Sequence, residues 1–375
     1  MGKFGKKVSI SLNPLDYNIS ILGESGIGKT TLAKEMCEKL VGDEGYIHFD
    51  LGNEDGAAAI EGIVSEKIED FAKLEEVIDD IVENKDTDYK DLKAVIWDTL
   101  DELVPIVENE TIRIHNKKHS DNKIDTINSA MGGFGKGQEY AIDLMIEKMA
   151  QLRSVGVSNI IIGHVKRTDI IDPITQETYS KLTADTTQKY FNAIKNKQHF
   201  VALAYIDREI VKEKTGRKNI ATKQDITINK AVSESRVISF RDDTYSVDSK
   251  SRFADIIDRI PFNVDEFIRA MSDAIESEKT SKGVSLDDAK KEQKKREKDK
   301  EVKATEASAN AKAAKLEAEM EEKRSEFLSI ISENFSGADK EIKDKAKEIL
   351  ANSGFKKFTD PELPVEVLKE ISELF

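Results

Sequence analysis

Gly23-Glu24-Ser25-Gly26-Ile27-Gly28-Lys29-Thr30 stands between an alternating apolar run, Tyr17 to Leu22, and a stretch of helical periodicity from Thr30 to Leu40. The order is strand, glycine loop, helix. Three glycines let the backbone curl so that its N–H groups point inward, and the helix start adds partial positive charge toward anything anionic. The pattern G-x-x-x-x-G-K-[ST] is complete, so Gly23, Glu24, Ser25, Gly26, Ile27, Gly28, Lys29, Thr30 and Thr31 are read as a cradle for a nucleoside triphosphate. Lys29 reaches the β and γ phosphates as a point charge, and the Thr30 hydroxyl is a magnesium ligand.

Such a P-loop needs a second carboxylate on a neighbouring strand, and Val95-Ile96-Trp97-Asp98 ends an apolar run in an acid. Asp98 is assigned to the magnesium side; its other reading is an N-cap for a helix from Thr99 to Val107. Hydrolysis also needs a group to orient or deprotonate water. Glu54, just after the strand that ends at Asp50, is the first candidate, Asp55 is its neighbour, and Glu102 is the alternative beyond Asp98. His164 follows the buried run Ile160 to Gly163 at the strand end where ligands bind in open α/β sheets, and could sense a γ phosphate or be purely structural. His48, His115, His119 and His199 form no metal-ligand spacing with Cys37, the single cysteine, which sits at helical spacing with Leu32, Ala33, Met36 and Leu40 and is read as a core residue.

Outward from these motifs, strands alternate with helices as far as Ile160 to Gly163. Strand-like runs then follow at Phe200 to Val211, Arg236 to Phe240 and Thr244 to Val247. The pattern predicts an α/β core with a mainly parallel central sheet and antiparallel edge additions. Residues 119–138 are polar and glycine-rich and read as a surface loop. Composition divides the 375 residues into a catalytic core at 1–278, a charged helical spacer at 279–325 and a small helical module at 326–375. A charge of -14 excludes a surface that is basic everywhere. No apolar run reaches membrane length and no secretion signal follows Lys3, Lys6 and Lys7, so a cytoplasmic protein is expected.

The P-loop, Phe49-Asp-Leu-Gly-Asn-Glu54, Val95 to Asp98, the Gly-Phe-Gly-Lys-Gly stretch before a helix, Ile160 to His164 and Asp248-Ser-Lys-Ser-Arg252-Phe253 together resemble the RecA-like P-loop ATPases of bacteriophages, relatives of short, core-only recombinases. The resemblance covers roughly residues 8 to 270; that family brings its acid sooner after the second strand, whereas here Gly52 and Asn53 intervene. It implies ATP as the nucleotide, a homo-oligomeric ring or filament, and Lys250 or Arg252 as a finger completing a neighbour's site. It also implies single-stranded DNA as the partner, in recombination or replication. Two stretches fit that partner: Phe134 and Lys136 in the glycine loop, for base stacking and phosphate contact, and a basic tip of Lys212, Lys214, Arg217, Lys218 and Lys223. Each also has an ordinary reading, as a flexible connection and a solubilising turn. Two other functions stay open: a nucleotide-gated adaptor that recruits a protein through its C-terminal helices, and a small-molecule phosphotransferase, for which no arginine-rich lid stands out.

Overall fold

The computed structural model describes residues 9–53, 56–218, 225–241, 248–281 and 283–375. Glu54, Asp55, Lys223 and the strand expected at Thr244 to Val247 lie outside them, as do the side chains of Lys212, Lys214, Arg217 and Lys218. The chain forms two compact units, Met1–Thr305 and Glu306–Phe375.

The first unit opens with β1 (Ile19–Gly23), α1 (Lys29–Val41), β2 (Tyr46–Leu51), β3 (Ser65–Ile68), α2 (Phe71–Glu83), β4 (Ala94–Asp98) and α3 (Leu100–Lys118). It continues with α4 (Lys136–Ser154), β5 (Ser158–Ile171), β6 (Thr178–Ala184), α5 (Gln188–Lys195), β7 (Phe200–Lys218), β8 (Asp225–Ser239), β9 (Lys250–Ser251), β10 (Arg259–Pro261) and α6 (Val264–Thr280). A single helix α7 (Leu286–Phe335) then supplies residues to both units.

The sheet runs β10-β8-β7-β1-β5-β4-β2-β3, with β6 paired to β5 and β9 to β7. From β7 to β3 every neighbour is parallel, whereas β8, β10, β6 and β9 join antiparallel. The architecture is the expected P-loop core, a parallel centre with antiparallel additions.

Side chains alternate across it. Ile19 and Ile21, Ile160 and Ile162, Phe200 and Ala202 share one face and one apolar cluster with Leu32, Met36 and Cys37 of α1 and Phe267 and Met271 of α6. Burial there pushes the Cys37 thiol up, which keeps it protonated and inert. Opposite, Trp97 is fully buried, meets Phe49 edge-on at 5.3 Å and donates its indole N–H to Asn159 Oδ1 at 2.9 Å. Asn159 in turn donates to the Met149 carbonyl of α4 at 2.9 Å. Both polar groups of the buried Asn159 amide are thereby satisfied, as burial away from water requires.

β5 differs from its sequence reading. Its apolar run ends at Gly163, yet the strand continues to Ile171 as one arm of a hairpin with β6. Beyond His164 the arm is a two-stranded ribbon without a buried face, so no alternation announces it. β7 likewise runs on past the parallel sheet, to Lys218, as one arm of a hairpin with β8. Since Gly23 lies in register with His164 on one side and Ala204 on the other, both hairpins rise past the end of β1 and flank it. The stretch 119–138 also holds more order than a loop: Ile127–Gly132 is a 3-10 helix, and the Asn116 amide grips both polar groups of Ile124.

Within the first unit, Lys279 donates to Ser9 Oγ, the Ile10 carbonyl and Glu292 Oε2, each at 2.8 Å, which ties α6, the start of α7 and the N-terminal segment together. The second unit packs the end of α7 against α8 (Lys340–Asn352) and α9 (Val365–Ser372) around Ile331, Ala346, Leu350, Leu363, Leu368 and Ile371. Buried Arg324 donates to the Leu363 carbonyl at 2.6 Å. Among the described residues no helix is long and apolar enough to cross a membrane.

Candidate functional site

The strand β1 delivers Gly23 to the carboxyl edge, where a Cβ would lie 2.7 Å from the Ala204 carbonyl of β7, so only glycine lets the loop leave there. The loop closes on Gly28, whose φ of +105° suits glycine alone and which caps α1 without any side-chain bond. The first N–H groups of α1 therefore keep their hydrogen-bonding capacity for a ligand in the loop.

Lys29 is 6% exposed and donates to the carbonyls of Gly23 and Glu24, both at 3.1 Å. It is folded back over the loop it serves. The Thr30 hydroxyl donates to Asp98 Oδ2 at 2.5 Å. The N-cap of α3 is Thr99, so the Asp98 carboxylate is turned to the P-loop rather than to the helix start.

Sequence reasoning missed what holds Asp98. His48, fully buried in β2, meets Asp98 Oδ2 through Nε2 at 3.0 Å and Ser65 Oγ of β3 through Nδ1 at 3.0 Å. Three adjacent strands thus fix one carboxylate, and a ring nitrogen bonded on the far side sets the imidazole orientation, as partners of ligating groups do. Asp50 lies in register with Asp98 and is paired to Lys67 at 3.1 Å.

β5 lies between β1 and β4 in the sheet. His164, at the level of Gly23, therefore stands between the phosphate loop and the acid strand. Its backbone N–H donates to Asp101 Oδ2 at 2.8 Å and its Nδ1 lies 3.2 Å from the same oxygen. Asp101, a second missed residue, looked in the sequence like an ordinary first-turn acid of α3. Glu102 turns the other way: its Oε2 accepts from the N–H of Asn53 at 3.3 Å, the last described residue before Glu54, beside a cavity of about 280 Å³.

The remaining candidates are not gathered here. Phe134 is wholly exposed, with a φ of +51°, just before α4. Since α4 ends next to the start of β5, its own start and Lys136 lie toward the carboxyl edge. Lys250 and Arg252 lie at the opposite edge: Lys250 donates to the Lys195 carbonyl at 2.9 Å, and Arg252 to those of Gln198 at 3.2 Å and Asn196 at 2.6 Å.

The donor set suits magnesium. A hydroxyl and a carboxylate in contact are two hard oxygens, and magnesium takes one or two such protein ligands and completes its shell with phosphates and water. Among the described residues no group of three or more His, Cys, Asp or Glu is placed to hold a metal ion.

A family model described as an AAA domain matches residues 15–253, well over half of the chain, from the turn before β1 to the segment after β9. No curated protein matches the sequence.

Proposed function

The chain belongs to the AAA-domain family of P-loop ATPases, and from that premise we propose that it is an oligomeric, RecA-like ATP hydrolase stimulated by single-stranded DNA, of the kind used in phage recombination or replication. The observation that carries the hydrolytic part is the contact of Thr30 with Asp98 beside a buried Lys29. Magnesium, when bound, would be held by Thr30 and Asp98 and would neutralise charge on the β and γ phosphates. Lys29 exchanges its two loop carbonyls for phosphate oxygens, a charge-assisted and stronger bond. His48 keeps Asp98 aimed, and His164, steadied by Asp101, faces the position of the terminal phosphate. Glu54 or Glu102 orients the attacking water.

Two features support a DNA partner. The hairpins β5–β6 and β7–β8 rise on both sides of the site edge, and the second carries the lysines and arginine of the basic stretch 212–218. Phe134 offers a bare aromatic face of the kind that stacks bases. Lys250 and Arg252 lie away from their own P-loop, the position required of groups that act on a neighbour's nucleotide.

The test is steady-state ATP hydrolysis with and without single-stranded DNA, with Lys29→Ala as control. A Lys29-dependent rate raised by DNA supports the reading; a Lys29-dependent rate indifferent to DNA removes DNA from it. A second reading, the nucleotide-gated adaptor, is favoured by the separate core of the second unit. Removal of residues 306–375 leaves the bonds of Lys279 and Glu292 in place; under the adaptor reading hydrolysis survives while a protein partner is lost.

A further inference from the structure

We propose that the ring of Phe262, with the guanidinium of Arg236 over it, is the seat of the nucleotide's base. The inference rests on the nucleotide reading above and extends it to the specificity of the same site.

The phosphate loop has two unlike flanks. On the side of β5, β4 and β2 stand His164, Asp101, Asp98 and His48, groups that handle phosphate, metal and water. A triphosphate turned with its reacting end toward them carries its sugar and base toward the other flank, formed by β7, β8 and β10. There the chain offers a different chemistry. Arg236 of β8 pairs with Ile206, two residues beyond Ala204, which is level with Gly23, so it reaches the loop from the sheet edge. Its Nη1 donates to the Ile27 carbonyl at 3.3 Å.

Phe262 follows β10, and its N–H donates to the Arg236 carbonyl at 2.9 Å. A Cβ placed on Gly28 would lie 3.4 Å from the Phe262 ring and 3.8 Å from Arg236 Nη1. The guanidinium carbon sits 5.3 Å from the ring centroid. Phe262 is half-buried against the cluster that joins α1 to α6, so its orientation is set before any ligand arrives. An aromatic plane held this way loses little freedom when a base stacks on it. Arg236 is exposed, and a planar guanidinium both stacks on a base and donates to its acceptors.

The experiment measures binding of ATP and of inorganic tripolyphosphate, each with magnesium, to the full chain and to Phe262→Ala and Phe262→Tyr. Tripolyphosphate carries the phosphates without the base. The expected result is that Phe262→Ala weakens ATP about tenfold, at the lower end of what base–aromatic stacking contributes, leaves tripolyphosphate unchanged, and that Phe262→Tyr restores ATP. Equal weakening of both ligands by Phe262→Ala overturns the proposal, because it marks a merely structural ring; so does unchanged ATP binding. A wild-type chain that binds neither ligand overturns the nucleotide reading beneath it, which a Phe262-specific failure leaves standing.

Discussion

The two edges of the central sheet carry the same kinds of side chain under opposite circumstances. At the carboxyl edge Lys29 sits on the carbonyls of Gly23 and Glu24. At the amino edge Lys250 and Arg252 sit on the carbonyls of Lys195, Asn196 and Gln198, Arg153 donates to the Asp16 carbonyl at 3.1 Å, and the Asn18 N–H donates to His199 Nδ1 at 3.1 Å. That edge even holds a cavity of about 290 Å³ beside Asn18, Arg153 and Gln198. A cation on a carbonyl therefore does not mark a site. What separates the edges is helix polarity. Strands joined by helices send helix starts to the carboxyl edge and helix ends to the amino edge, so one collects spare N–H groups and the other spare carbonyls. Lys250 and Arg252 answer the end of α5; Lys29 waits beside the start of α1.

The change that tests this contrast hardest is Lys29→Ala. Loss of the lysine is expected to lower hydrolysis about a hundredfold or more while the thermal midpoint moves little, measured by phosphate release and thermal denaturation. Asp98→Asn comes next, with a loss of the same order in magnesium-dependent hydrolysis, visible as a shifted magnesium titration. His48→Gln removes the aim rather than the ligand and is expected to cost about tenfold in the same titration. At the amino edge the readout reverses. Arg252→Ala is expected to cost about 1 kcal/mol in chemical denaturation, since its group is exposed and its bonds are to carbonyls. A fall of tenfold or more in kcat of the assembled protein, at unchanged ATP affinity, would add a role on the neighbouring subunit; unchanged kcat confines Arg252 to closing α5.

The smallest effect is a pH dependence. Burial, then the charges of Arg252, Arg153 and Lys250, holds His199 down to about 4 from its ordinary 6.5. Between those values the unfolded chain binds the extra proton, so the contribution of His199 is full above about pH 6.5 and is lost as pH falls toward 4. Because the ring is only half-buried, the amount is about 1 kcal/mol at most. His199→Gln should flatten stability against pH in that window; an unchanged slope would show that the ring titrates normally.

These particulars show what a sequence exposes. The P-loop is legible because its glycines and lysine act through neighbours along the chain, and Asp98 because an apolar strand ending in an acid is a local event. The alternation of strands and helices likewise announces a parallel sheet. His48 is silent: it occupies an unremarkable place in β2, and its partner is 50 residues away, reached only when β4 lies alongside. Arg236 and Phe262 are quieter still, since their approach to Gly28 follows from the return of β8 and β10 to the side of β7. Spacing reports what one element does; it does not report which elements become neighbours.

Trp97 is the one tryptophan of the chain, fully buried, with Asp98 next in sequence. Its emission is therefore an optical probe of the core sheet alone. The unit Glu306–Phe375 contains no tryptophan and is spectrally silent at that wavelength, although its helices contribute to circular dichroism. Melting followed by both signals separates the two units within one intact chain, without a label or a cut.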